Sequence, residues 1–576
     1  MRHLIGLVVL VLLSTGTARS IHAEAAAFGH YLPAVEFTEQ VSSTQYLPMR
    51  DGVRLAIRIT RPARGGEAAP GPFPVIWQHT LSVTEGPGAT AAGHEAGLSH
   101  VPSLTAYGYV VVQVARRGNG QSFGIRRGYN DVTETDDAYE VTEWLARQSW
   151  SNGRIGIYGC SNTGDAAMHA LAGRPPHLQA VFAGCFSWSK YDAMRRGGIF
   201  AQWGTGPQRT LAEDMAMEPV DGDANKALLA QAAAEHQKST NLLELWRQMP
   251  YRDSWSPLVG SRFWSESSIS SYAAQLRQLR VPVYIMGGWH DELRDQGLIA
   301  LLNLPQSRIL IGPWLHCMNP GFELLQEIHR FFDTYLKDRN TGLASEPRVH
   351  YYTMNEGGAG WHAANRWPVP GERSERWLFD AGQMLSARAP GRDVQDSFTV
   401  QTAVDCPQGG VGPFMQPCLH PGQGLAFMTA PLERARTLTG HPVVGLRIQV
   451  DRADANVFVY LTDVGPDGSA TVITEGRLKA SVRAESAAPF AVPATPWHRA
   501  FSEDAQPLTP GQTVALQIDL LPTSYRVSAG HRIGLTVMGA DYRERLRDPS
   551  VEGTRISVLS TPAQPSWLDL PVTPSS

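Results

Sequence analysis

A chain of 576 residues offers room for about three to four domain-sized units at roughly 150 residues each, which excludes a single small domain. Hydrophobic residues make up 43% and charged residues 18%, so the chain can fill several cores and does not belong to the disordered class. Lys+Arg 50 against Asp+Glu 54 leaves a formal charge of -4, which offers no basic field for nucleic acid or anionic lipid; the expected partner is a small neutral or polar molecule.

At the N-terminus, Met1-Arg2-His3 precede an almost wholly apolar run over 4–13, then Ser14-Thr15-Gly16, with small residues at Ala23 and Ala25. A charged start, a short apolar stretch and an Ala-x-Ala-like site predict a signal peptide over 1–25 and hence an exported protein, periplasmic or secreted. No stretch reaches the roughly 20 apolar residues that a spanning helix needs, so no membrane span is expected in the mature chain. An exported chain can hold disulfides. Of its 5 cysteines, Cys406 and Cys418 in a Gly/Pro-rich stretch are the expected pair, whereas Cys160, Cys185 and Cys317 are expected as small buried fillers. There is no CxxC spacing, and His94-Glu95 with His100 lacks the HExxH spacing, so neither a metal nor a cofactor is expected.

From about 45 to 185, strand-like apolar runs alternate with helical stretches. Pro74-Val75-Ile76-Trp77-Gln78, the run over 109–114 and Ile155-Gly156-Ile157-Tyr158 predict buried strands, and 136–148 carries Ala138, Val141, Trp144 and Leu145 at helical spacing. That rhythm predicts a parallel sheet with helices on its faces. Between about 190 and 275 it breaks into helical segments over 224–234 and 241–249, with Trp203, Trp246, Trp255 and Trp264 expected to line an apolar pocket. Strands resume over 281–286 and 308–311, followed by a helix over 321–337. Beyond about 345 the pattern alternates, as in Leu446/Ile448/Val450, Val514/Leu516/Ile518 and Ile533/Leu535/Val537, which predicts antiparallel strands of a sandwich or jelly roll. The expected organisation is a discontinuous α/β domain over 26–189 and 276–345, a helical insertion over 190–275 and an all-β sandwich or jelly-roll domain over 346–576.

The segment Gly153 through Gly164 reads as a strand, a tight turn and a small-residue helix. Such a turn presents its serine, Ser161, above the sheet as a nucleophile, and the helix start behind it offers the backbone N–H of Asn162 to an oxyanion. Thr163 stands where the second glycine of GxSxG belongs, and Gly164 follows one later. An imidazole must take the hydroxyl proton and a carboxylate must orient that imidazole. In chain order, Gly287-Gly288-Trp289-His290-Asp291 and Gly312-Pro313-Trp314-Leu315-His316 follow two strands and supply Asp291 and His316.

Those segments, with 143–153, the loop Arg117-Gly118-Asn119-Gly120-Gln121-Ser122, the run Phe331-Phe332-Asp333 and Gly530-His531-Arg532-Ile533, resemble the family of cocaine esterase, α-amino acid ester hydrolases, glutaryl-cephalosporin acylases and Xaa-Pro dipeptidyl peptidases. The resemblance covers nearly the whole mature chain and implies an α/β-hydrolase domain, a helical cap over 190–275, a C-terminal jelly-roll domain and a triad of Ser161, Asp291 and His316. It departs at two points. Asn162 replaces the usual tyrosine after the nucleophile, and His79-Thr80-Leu81-Ser82 lacks the tyrosine that donates the second oxyanion hydrogen bond in the family, leaving Ser82, Thr80 or a backbone N–H for that role.

A rival nucleophile motif, Ser187-Trp188-Ser189-Lys190, lacks the Lys-Thr-Gly that its chemistry needs, and Lys190 is expected to be solvated. A non-catalytic reading makes the β-rich third a carbohydrate-binding module, although no aromatic platform stands out there. Within hydrolases, ester cleavage is the expectation, with Xaa-Pro dipeptidyl-peptidase-like or β-lactam acylase activity as alternatives. A site for a free amine would need carboxylates such as Asp192, Glu213, Asp214 or Glu292.

Overall fold

An apolar run without polar alternation suits a strand covered on both faces, and the first sheet is built from such runs. The computed structural model describes residues 28–83, 100–200, 209–358, 360–404, 417–419, 422–544 and 551–574. The expected signal peptide, His94, Glu95, Trp203 and Cys406 lie outside these residues. Among the described residues the first sheet has eleven strands: β1 (Glu39–Pro48), β2 (Arg54–Arg64), β3 (Glu67–Ala68), β4 (Phe73–Thr80), β5 (Val110–Ala115), β6 (Ser151–Cys160), β7 (Leu178–Gly184), β8 (Val283–Gly288), β9 (Ser307–Gly312), β10 (Val349–Tyr352) and β11 (Trp361–Ala364). Their order is β1-β2-β5-β4-β6-β7-β8-β9-β10-β11, with β3 beside β2. The run from β5 to β10 is parallel, and β1, β2 and β11 pair antiparallel at the two edges.

The strand order reverses around β4: the chain steps outward to β5, then crosses to β6 on the other side. In open α/β sheets the crevice at such a reversal, beyond the carboxyl ends of the strands, is where ligands bind. Helices α1 (Val132–Ala146) and α2 (Asn162–Gly173) flank β6 in sequence. Asp131 caps α1 by accepting the N–H groups of Thr133 and Glu134 at 3.0 and 3.2 Å, and Ala138, Val141 and Leu145 form its buried stripe. In α2, Ala166, Ala167 and Ala170 are buried, and their small side chains let the helix lie close beneath β6 and β7.

Among the described residues between β7 and β8 lie six α-helices, α3 (Lys190–Arg195), α4 (Leu211–Met215), α5 (Ala227–His236), α6 (Leu242–Arg247), α7 (Phe263–Glu266) and α8 (Ala273–Leu276). Trp246 and Trp264 are buried inside this insertion, against Phe200 and Tyr191, while Trp255 is 61% exposed. These tryptophans build the insertion's own core and its surface rather than the pocket lining expected of them. Helices α9 (Arg294–Asn303) and α10 (Leu324–Leu336) follow β8 and β9. The first sheet runs past the expected boundary at 345: β10 and β11 pair with β9 and with each other, because their short alternating sequence suits an edge as well as a sandwich.

The second sheet comprises thirteen strands among the described residues, from Arg373–Asp380 to Trp567–Thr573. Leu446, Ile448 and Val450 point inward from Val443–Val450, as the alternation predicts, and the same holds for Ile533, Leu535 and Val537 in Arg532–Met538. No helix among the described residues is long and apolar enough to cross a membrane.

Candidate active site

Ser161 lies between the end of β6 and the start of α2 with φ 59° and ψ -126°, a backbone geometry that L-residues seldom adopt. The turn is closed from both sides. The Ser161 N–H donates to the Gly184 carbonyl at 2.9 Å, and its own carbonyl accepts the Asp165 N–H at 2.8 Å. Thr163, the departure from GxSxG, is part of the closure: its hydroxyl accepts the Cys160 N–H at 2.9 Å and donates to the Cys160 carbonyl at 2.8 Å. The two glycines are steric necessities. A Cβ at Gly159 would run into the Thr163 carbonyl, and one at Gly164 into the Gly184 carbonyl on β7. The small residue is therefore required one position later than in GxSxG. Gly164→Ala is expected to lower stability by about 1–3 kcal/mol through overpacking and to reduce turnover, read by thermal unfolding and by rate on one ester. An unchanged melting temperature would contradict the steric reading.

Asp291 follows β8, and His316 follows β9. Ser161 Oγ is 2.7 Å from His316 Nε2, and His316 Nδ1 is 3.0 Å from Asp291 Oδ2. In the arrangement that satisfies all three, the serine O–H donates to Nε2 and the Nδ1–H donates to the carboxylate. Asp291 is fully buried, and its Oδ1 accepts the Leu293 N–H at 3.0 Å. Burial alone would raise the Asp291 pKa, but the facing His316 imidazole and its hydrogen bond outweigh burial and hold it below the ordinary 3.8. For His316 burial acts downward, and the Asp291 charge and hydrogen bond lift it above the usual 6.5. Neighbouring His290 is driven to about 4 by burial and by Arg294, so it stays a neutral packed ring; its backbone N–H ties the aspartate loop to the Trp314 carbonyl at 2.9 Å.

Arg294 connects the acid loop to the second sheet. It donates to the Asp291 carbonyl at 2.8 Å, to the Pro522 carbonyl at 3.0 Å and to Thr474 Oγ1 at 3.0 Å.

On the other side of Ser161, the Asn162 side chain accepts a short hydrogen bond from Arg116, whose guanidinium also holds Asn130 at 2.9 Å and Glu134 at 3.0 Å. The Asn162 N–H belongs to the first turn of α2, where no intrahelical carbonyl can reach it. Thr80 and Ser82 lie at the carboxyl end of β4. The Thr80 carbonyl accepts the Arg116 N–H at 2.9 Å, and the Ser82 hydroxyl donates to Gln121 at 3.3 Å and to the Met217 sulfur at 3.8 Å. His79 is buried with neither ring nitrogen hydrogen-bonded among the described residues, and burial followed by Arg116 drives its pKa well below 6.5.

Lys190 is not solvated. It is 5% exposed, 2.5 Å from Asp165 and 3.3 Å from Ser187 Oγ, so the SxxK lysine is spent as a buried counter-ion. The expectation that Cys160 and Cys317 are fillers is also overturned: they form a disulfide across 157 residues of sequence, while Cys185 is a free buried thiol. Cys418 is disulfide-bonded too. The sulfurs of Cys160, Cys185 and Cys317 lie within 4.8 Å of one another, but two are used by the disulfide, which leaves no set of thiolates for a metal. A cavity of about 60 Å³ between Trp188, Arg196, Gln296, Phe490 and Trp497 is lined by none of Ser161, Asp291 or His316.

The fold and this crevice define a hydrolase of α/β-hydrolase-like architecture with a mostly β C-terminal domain. Residues 51–318 match the X-Pro dipeptidyl-peptidase (S15 family) model, and 341–568 match the X-Pro dipeptidyl-peptidase C-terminal non-catalytic domain. A Mycobacterium bovis protein that carries the name serine esterase is 30% identical over 92% of this chain and 95% of its own. The cocaine esterase of a Rhodococcus species is 25% identical over 90% and 94%. A CocE/NonD family hydrolase from Staphylococcus aureus superposes with a TM-score of 0.72 at 19% identity, covering 93% of this chain and 94% of that one. The chain belongs to this family of serine esterases and X-Pro dipeptidyl-peptidases.

Proposed function

We propose that the protein is an exported serine esterase that cleaves small carboxylic esters through an acyl-enzyme on Ser161. The observation that carries the reading is the continuous hydrogen-bonded row Ser161–His316–Asp291, buried at its aspartate end and open at its serine end. In this reading Ser161 attacks the acyl carbon while His316 takes its proton and returns it to the leaving alcohol, and a water then resolves the acyl-enzyme by the same route. Asp291 holds the tautomer and balances the imidazolium. The Asn162 N–H supplies one oxyanion donor, and Ser82 or Thr80 the second. The helical insertion acts as a cap over the acyl site, and the β domain is a jelly roll that braces the acid loop.

An ester without a free amine is favoured over a dipeptide substrate because each of the four candidate carboxylates already faces a cation or caps a helix. Asp192 meets Arg252 at 2.6 and 3.1 Å, Asp214 meets His236 at 2.8 Å, and Glu213 caps its own helix through Thr210 at 2.6 Å. Glu292 faces Arg477 and Arg543 at 3.7 and 3.8 Å. The Cys160–Cys317 bond supports export, since such bonds persist in oxidising compartments. The test is a panel of p-nitrophenyl esters, amino acid esters, Xaa-Pro anilides and β-lactam side-chain amides. Fast turnover is expected on the simple esters; a preference for Xaa-Pro anilides would move the assignment to the peptidase branch.

A further inference from the structure

Two residues in this fold are separated from the reacting pair by one peptide bond each. Cys160 is the last residue of β6 and directly precedes Ser161; Cys317 directly follows His316. Their disulfide closes the chain across 157 residues, with Cα atoms 6.0 Å apart. The serine turn and the histidine loop leave two strands, β6 and β9, that are not neighbours, since β7 and β8 lie between them. β6 and β9 are not paired directly; the sheet relates their ends through β7 and β8. The Ser161–His316 hydrogen bond and the disulfide join the two loops directly.

The surroundings leave the link no slack. Cys160 and Cys317 are 0% and 3% exposed, and a Cβ at Gly184 would come within 2.9 Å of Cys160 Sγ. Cys185 follows Gly184 at the end of β7; its sulfur accepts the Cys317 N–H at 3.3 Å and lies within 4.8 Å of a carboxylate oxygen of Asp291 and a ring nitrogen of His316. One cysteine therefore holds the clamp by a hydrogen bond and sits beside the acid. Burial, followed by the Asp291 charge, pushes the Cys185 thiol well up, so it stays protonated. Exchange with the adjacent disulfide needs a thiolate, so the third sulfur does not reshuffle the bond.

We propose that the Cys160–Cys317 disulfide is a positioning element for hydrolysis, holding the serine turn and the histidine loop at reacting distance, with Cys185 seating the clamp against Asp291. The proposal rests on the acyl-transfer reading of Ser161. A misplacement of about 1 Å between reacting groups costs on the order of 100-fold in rate, far more than it costs in substrate affinity. The clamp therefore acts on kcat rather than on KM.

The test is the double variant Cys160→Ala/Cys317→Ala, a change that leaves no new thiol beside Cys185. Steady-state kinetics on one p-nitrophenyl ester, the rate of fluorophosphonate labelling and thermal unfolding are read together at a temperature where the variant is folded. The expected result is a loss of 10-fold or more in kcat and a parallel slowing of labelling, with KM changed less than about 3-fold. Wild-type kcat and labelling in a folded double variant, whatever its melting temperature, would overturn the proposal.

If the double variant does not fold, partly reduced wild type gives the answer. Dithiothreitol passes two electrons and two protons to the bond, yielding two protein thiols and the cyclic oxidised reagent. The sample is pulsed with fluorophosphonate, then denatured, alkylated and digested, and the peptide beginning at Ile155 reports both Cys160 and Ser161. Molecules whose Cys160 was open are expected to carry at least 10-fold less label; equal label would overturn the clamp. Ser161→Ala in the same assays separates the two claims. If it still turns over, the acyl-transfer reading falls and takes the clamp with it. If it is inactive while the double variant keeps wild-type kcat, the clamp alone falls.

Discussion

Ser161→Ala is expected to lower kcat by roughly four to six orders of magnitude and to abolish fluorophosphonate labelling, with little change in KM. The size follows from what the row of hydrogen bonds has left to work with. Without the hydroxyl, His316 can only activate water, and the residual rate comes from the oxyanion donors and from binding. No neighbour can substitute. Ser187, the serine of the Ser-x-x-Lys run, is 1% exposed, and Lys190 beside it is committed to Asp165. Esterase activity retained above about 1% of wild type would assign the chemistry to another nucleophile. A melting temperature close to wild type is expected, because the strained turn is held by backbone bonds and by Thr163 rather than by the serine hydroxyl.

Asp291→Asn is expected to cost roughly 10⁴-fold in kcat, since an amide at that position accepts the wrong imidazole tautomer or forces the ring to turn. The same substitution should move the pH dependence. In the wild type, kcat/KM is expected to fall as pH drops through the His316 pKa, which Asp291 lifts above the usual 6.5 against the opposing effect of burial. With the carboxylate gone, burial acts unopposed by Asp291 and the acid limb shifts to lower pH. A limb that stays in place while the rate falls would show that Asp291 orients the ring without setting its charge. pH–rate profiles over about pH 5 to 9 on a single ester distinguish the two.

Much of the site was legible because its parts carry local patterns. A strand ending in Gly159-Cys160-Ser161 and continuing into alanines reads as a strand–turn–helix, and Asp291 and His316 each follow an apolar strand in the order the fold demands. The spacing of Gly164 looked like a defect and is instead set by the Gly184 carbonyl, an atom twenty residues away in sequence that no motif records. The sequence around Lys190 does not show its burial, because its counter-ion, Asp165, belongs to the preceding helix. The Cys160–Cys317 bond has no spacing rule either, yet a signal was present: each cysteine adjoins a residue that the chemistry requires to touch the other. Strands β10 and β11 escaped assignment because four-residue runs do not reveal which of two sheets they will join.

Arg294 ties the C-terminal half to the loop that carries Asp291. Its guanidinium grips Pro522 and Thr474 on one side and the Asp291 carbonyl on the other. A chain cut back to its N-terminal half would keep Ser161, Asp291 and His316 but lose the two anchors, Pro522 and Thr474, that fix Arg294 against the aspartate loop.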